Sequence, residues 1–277
     1  MKDDLKHAYK LLKKVKDPKF DIDRLHHYSL SLHLGPRAFQ VLVTDAENQR
    51  CMLLEDYVFE QESSTQQKLE MIHGIFDEHH LLLVGFWHSI TFSWKNKKFS
   101  LVPAPVFSEQ SISSYLRLNG PFDFEQDHIF TAYHPAGDFV NVFAGEKAIV
   151  DFIDDTYKNK EVRYIHQSSV LVEGAREIVR AKGPTVLLFI DRFSLHIIVF
   201  ADSALLFYNQ YPIRRFNDYL KYIQIVSKEL NMDFSTLPIV VHGYMGQNTP
   251  HYQALKKSLG HIGLGKKPRG LKYSYVF

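Results

Sequence analysis

The sequence predicts an α/β protein of two similar lobes, each a mixed sheet flanked by helices. Three observations predict it. A strand, strand, strand, helix, strand order opens near Tyr28 and opens again near Thr185. The strands show period-two alternation or short buried runs, and the helices carry apolar residues at helical spacing. Between the copies, strands alternate with helices, which implies parallel crossovers.

In the first copy Leu30, Leu32 and Leu34 alternate with Ser29, Ser31 and His33, marking a half-buried strand. A second strand spans 38–43, turns through Asp45-Ala46-Glu47-Asn48, and a third returns along 51–59, an antiparallel meander. Leu69, Ile72 and Phe76 follow a Ser63-Ser64 cap and predict a helix, and Leu82-Leu83-Val84-Gly85 reads as a buried strand. Residues 86–94 and 98–102 read as a hairpin around Lys95-Asn96-Lys97, ended by Pro103-Ala104-Pro105. Beyond Asn119-Gly120-Pro121 come a strand (139–144), a helix (146–157), a strand (162–166) and a helix (168–180).

The second copy repeats the meander with 186–190, 194–200 and 205–211, the last two joined by Ala201-Asp202-Ser203. Tyr219, Ile223, Val226 and Leu230 follow Asn217-Asp218 as a helix, and Val240-Val241-His242-Gly243 is the buried strand. A shift of about 158 positions lays the first copy on the second. Lys182-Gly183-Pro184 marks the boundary. The lobes are therefore 1–182, with an inserted hairpin at about 86–107, and 183–277.

With 277 residues, 45% of them hydrophobic, the chain can bury two cores of ordinary size. No run approaches the roughly 20 apolar residues of a membrane span, and the start MKDDLKHAYKLLKKVK lacks an apolar signal core, so a cytoplasmic protein without membrane insertion is expected. The single cysteine, Cys51, lies in a strand and reads as a packed thiol.

Three meander strands, a helix and further strands and helices, given twice, resemble the actin-like and Hsp70-like ATPase superfamily with its ribonuclease-H-like lobes. More narrowly the chain resembles an uncharacterised bacterial family, typical of Bacteroidetes, with a degenerate actin-like fold, and it is similar to PilM-type pilus-assembly proteins. The likeness covers nearly everything after residue 25 and rests on order and spacing.

The resemblance implies an Asp-x-Gly turn in each lobe around the phosphates and a Gly-Gly turn against adenosine. The first turn here is His33-Leu34-Gly35, in which histidine replaces the carboxylate. A carboxylate about 4 Å from a unit charge contributes on the order of 4 kcal/mol at an effective dielectric near 20, so magnesium loses its anchor. The second, Asp191-Arg192-Phe193, keeps the acid and fills the glycine position with a ring. The third, His242-Gly243-Tyr244-Met245-Gly246, carries Tyr in place of the second glycine. If a nucleotide binds, its residues are His33, Gly35, Asp191, Arg192, Gly243 and Gly246, with ATP and magnesium as the ligands. Otherwise no cofactor, metal or catalytic residue is expected.

Other motifs carry less. Gly260 to Lys267 satisfies Gly-x4-Gly-Lys, but it follows a helix (252–259), meets Pro268 and lacks the Ser or Thr that holds magnesium, so Gly260 reads as a helix end. The pairs His26-His27 and His79-His80 point apart, and no zinc-like spacing occurs. The tail holds Lys256, Lys257, Lys266, Lys267, Arg269 and Lys272 with Tyr273, Tyr275 and Phe277, a composition that could grip RNA, although 271–277 alternates like a closing strand. A formal net charge of +2 gives no strong attraction for nucleic acid, and DNA is not expected.

The leading expectation is a catalytically inert actin-like protein that acts as a protein-interaction or scaffold module. The alternative is an ATP-binding protein or sugar-kinase-like enzyme with altered phosphate motifs. Trp87, Phe92 and Trp94 of the hairpin are the expected contact patch for an unknown protein partner.

Overall fold

The computed structural model describes residues 8–183, 185–201 and 204–265. By compactness the chain divides into two units between Ser168 and Ser169.

The first unit opens with β1 (Tyr9–Lys16), which runs antiparallel to the third meander strand. The meander is β2 (Tyr28–Leu34), β3 (Ala38–Asp45) and β4 (Arg50–Phe59). Helix α1 (Thr65–Glu78) follows, started by a reciprocal capping box between Ser64 and Gln67. Next come β5 (Ser89–Trp94) and β6 (Phe99–Pro103), a short helix α2 (Ile112–Arg117), and β7 (Asp127–His134). The unit ends with β8 (Phe139–Glu146), α3 (Lys147–Thr156) and β9 (Val162–His166), and α4 (Gln167–Lys182) leads out of it. One six-stranded sheet has the order β1-β4-β3-β2-β5-β9, parallel from β2 through β9, and a three-stranded sheet has the order β6-β8-β7.

The predicted hairpin at 86–107 does not form. β5 runs parallel to β2 and β9 inside the main sheet, while β6 pairs with β8 in the second one. The run Leu82 to Gly85 is not a strand either: residues His80–Leu83 make a 3-10 turn, whose Leu82 carbonyl accepts the Tyr157 hydroxyl at 2.6 Å. Of this run only Leu82 is buried and Leu83 is 52% exposed, and β5 takes the place beside β2. Trp87, Phe92 and Trp94 consequently lie in the core at 1%, 0% and 1% exposure, so they form no contact patch. Phe92 packs on Tyr164, Tyr164 stacks on Phe130, and Phe130 stacks on Phe143, a chain of rings that joins the two sheets.

The second unit holds β10 (Val186–Ile190), β11 (Ser194–Ala201), β12 (Ala204–Pro212), α5 (Phe216–Glu229), β13 (Ile239–Gly243), α6 (Pro250–Leu259) and β14 (Ile262–Leu264). The sheet order is β12-β11-β10-β13-β14, with β10, β13 and β14 parallel. Its core gathers Val186, Leu188, Ile197, Val199, Ile223, Val226 and Leu255. Gly260, with φ 71°, closes α6 as the sequence predicts.

The duplication extends to an irregularity of the meander. A register shift sits between Val43 and Thr44, where β4 inserts Met52, and again between Val199 and Phe200, where β12 inserts Leu206. The first hairpin turn closes by Gly35 N–H to Ala38 O (2.8 Å) and its counterpart by Asp191 N–H to Ser194 O (2.9 Å). Gly35 therefore corresponds to Asp191, and His33 to Phe189, two positions away from the spacing read in the sequence. The expected closing strand at 271–277, the basic residues from Lys266 onward, Pro184 and the pair Asp202-Ser203 lie outside the described residues.

Candidate functional site

In the first unit, His33 at the end of β2 stands in register with Gln40 on β3 and Ser93 on β5, and Gln40 in turn with Asp56 on β4. Alternation places all four side chains on one side of the sheet. The row is buried: Asp56 is 2% exposed, Gln40 3%, His33 2% and Ser93 0%. His33 is thus neither a surface nor a cleft residue, because the polar side of its strand is closed as well.

Lys95, the residue after β5, places Nζ 2.5 Å from Gln40 Oε1, and Gln40 Nε2 donates to Asp56 Oδ1 at 3.1 Å. An ammonium, an amide and a carboxylate form a continuous chain beside the imidazole. Burial, together with the Lys95 charge, holds the His33 pKa well below its ordinary value, so the ring is neutral at neutral pH. A methyl group on Gly35 beyond it would make only ordinary contact with Lys95. The sequence reading missed Gln40, Asp56 and Lys95, although the adjacent acids Glu55-Asp56 inside the apolar run 52–59 were a usable signal.

At the end of β9, His166 Nδ1 lies 2.7 Å from Ser168 Oγ, which also accepts from Asn141 Nδ2 at 2.8 Å. A hydroxyl beside an imidazole is the arrangement of an activated nucleophile. Both side chains are sealed, at 1% and 0% exposure, and His166 Nε2 meets the backbone carbonyl of Asn96 at 3.1 Å, so the pair locks β9 to the loop after β5.

In the second unit, β10 and β13 end side by side at Ile190 and Gly243, and Tyr244 N–H donates to Ile190 O at 2.7 Å. This brings Asp191, Arg192 and Gly243 together at the carboxyl ends of parallel strands, where open α/β sheets bind ligands. Gly243 has φ 96°, and a methyl group there would overlap the Ile190 carbonyl, so close backbone packing explains the glycine. Asp191 Oδ1 accepts the N–H of Arg192 at 2.6 Å. The Arg192 guanidinium lies 5.2 Å from the centre of the Tyr244 ring and 6.0 Å from that of Phe193. Gly246 is in the following turn, where its carbonyl accepts the Thr249 hydroxyl at 2.8 Å. Among the described residues, no group of three or more His, Cys, Asp or Glu could hold a metal ion. Cys51 is a half-buried thiol pushed up to about 11, chiefly by burial.

Residues 17–262 match the family model described as "Protein of unknown function (DUF3822)". The chain belongs to the DUF3822 family. No curated protein matches it. Among solved structures, this DUF3822 member is similar to a Bacteroides thetaiotaomicron protein with an actin-like ATPase fold and unknown function, at 17% identity and a TM-score of 0.79, over 93% of this chain and 98% of that one. A chain of the PilM-PilN type IV pilus biogenesis complex gives 11% identity and a TM-score of 0.51 over 86% and 88%. EutJ, an ethanolamine utilization protein from Carboxydothermus hydrogenoformans, gives 11% and 0.44 over 90% and 87%. The fold is the actin-like ATPase fold. Among the described residues, no helix is long and apolar enough to cross a membrane.

Proposed function

We propose that this protein is a catalytically inert actin-like protein that works as a protein-interaction or scaffold module in the cytoplasm, without nucleotide or metal. The observation that carries this reading is the chain Lys95–Gln40–Asp56 beside the buried neutral His33. A lysine ammonium already supplies the positive charge that a divalent cation would bring, and the acid of the row is engaged with Gln40. In the second unit, the rings of Phe193 and Tyr244 lie beside the Arg192 guanidinium. The fold likeness to a chain of the PilM-PilN complex supports an assembly role, since that protein is known within a complex.

Thermal shift with ATP and magnesium tests the reading. A ligand at 100 times its dissociation constant stabilises by about 2.7 kcal/mol. The proposal expects no shift. A shift that His33→Ala abolishes would replace it with an ATP-binding protein whose phosphate motifs are altered.

A further inference from the structure

One cationic side chain of the second unit is sealed from solvent with only part of its fork engaged. Arg176 of α4 is 2% exposed and shares its flank of the helix with the buried Val172, Ala175 and Val179, none of which carries a side-chain acceptor. Its Nη1 meets Glu173 Oε2 at 3.1 Å and Oε1 at 3.4 Å, one turn earlier. Among the described residues, Nε and Nη2 have no hydrogen-bond acceptor, and both are buried.

These two nitrogens form one functional edge. In arginine the Nε–H and one N–H of Nη2 lie side by side in the plane of the guanidinium, the edge that grips both oxygens of a carboxylate or a phosphate. The Glu173 contact leaves that edge untouched, because it uses the opposite end of the fork.

A second pair on the same helix shows what solvent changes. Arg180 and Glu177 repeat the spacing at 2.8 Å, with side chains 56% and 69% exposed, so bulk water reaches the rest of the Arg180 fork. Arg176 is shut off from bulk water, while the Glu173 side chain is 41% exposed and much of its charge is screened. A charged group taken out of water is tolerated when it is paired and hydrogen-bonded. A trapped water would satisfy an N–H and leave the charge unbalanced, whereas an anion answers both needs.

We propose that the Nε and Nη2 edge of Arg176 binds a small oxyanion, a carboxylate or an inorganic phosphate, with one oxygen on each nitrogen. The enclosure of the guanidinium suits a small free ion that enters by local opening, and it excludes a nucleotide or a segment of a partner protein. Glu173 holds the other end of the same cation and repels the incoming ion, so it sets the affinity. The inference goes beyond the interaction role proposed above and stands without it.

Thermal melting in Tris buffer, at an ionic strength held constant with sodium chloride, provides the test, with sodium acetate and sodium phosphate as the probes. At least one probe is expected to raise the melting temperature along a curve that saturates in the millimolar range. Arg176→Met should abolish the saturable rise. Arg176→Lys, which keeps the charge and loses the two-pronged edge, should weaken it at least about tenfold. Glu173→Gln removes a competing negative charge and should strengthen it severalfold, and Arg180→Met should leave it unchanged. If Arg176→Met does not fold, Arg176→Lys and Glu173→Gln, checked by circular dichroism, carry the test through their opposite signs. Saturation by acetate alone, by phosphate alone or by both supports the site and identifies the ion it takes. A rise that never saturates and is equal in wild type and Arg176→Lys is a general salt effect and would overturn the proposal. A saturable rise unaltered by the Arg176 variants, or no rise with either probe, would overturn it as well.

Discussion

Gly145 of β8 lies directly under the indole of Trp94 at the end of β5, so close that a methyl group on Gly145 would overlap the ring. Both are buried, and they join the three-stranded sheet to the six-stranded one within the first unit. Gly145→Ala is expected to destabilise that unit by about 1–3 kcal/mol through overpacking, measured as a lower urea midpoint. An unchanged midpoint would mean that the indole moves aside freely.

Gly243 and Gly246 separate two roles that look alike in sequence. Gly243→Ala forces a side chain onto a positive φ and into the Ile190 carbonyl, and should cost about 2–4 kcal/mol. Gly246→Ala meets only an ordinary contact with Thr249, and should change thermal stability by less than about 1 kcal/mol.

Two groups give the protein separate acid sensitivities. Burial and Lys95 lower the His33 pKa, so the unfolded chain binds a proton that the folded one resists, and stability falls as pH drops below about 6.5. Burial alone would raise Glu55, but hydrogen bonds from His79, Lys14 and Tyr57 outweigh it and hold the carboxyl at about 2. Its contribution is present above about 4.5 and is lost as pH falls toward 2. Denaturation from pH 8 to 2 should show both steps, with Glu55→Gln removing the lower one and an imidazole resonance of His33 that does not titrate near 6.5.

Much of the fold was legible because periodicity reports a buried face directly. The meander strands and α1, α3, α5 and α6 follow from it, as does the duplication. β1 was not legible, since four lysines and a register break at residue 12 erase its alternation. β5 was misread because an aromatic-rich run with polar residues between fits an exposed hairpin as well as a buried parallel strand. At the candidate site, a polar His33 on its strand could be read, whereas its closure by Lys95, Gln40 and Asp56 depends on cross-strand register that only the fold supplies.

Lys95 should therefore matter for stability instead of ligand binding. Lys95→Met leaves Gln40 and Asp56 without their cation and is expected to destabilise by about 1–3 kcal/mol in equilibrium unfolding. His33 should titrate at higher pH in the variant, because a charge that lowers its pKa is gone.

Isothermal titration calorimetry with ATP and magnesium tests the central claim most directly. The account predicts no binding heat up to 1 mM nucleotide in the wild-type protein. Saturable heat that disappears in both His33→Ala and Arg192→Ala would contradict it.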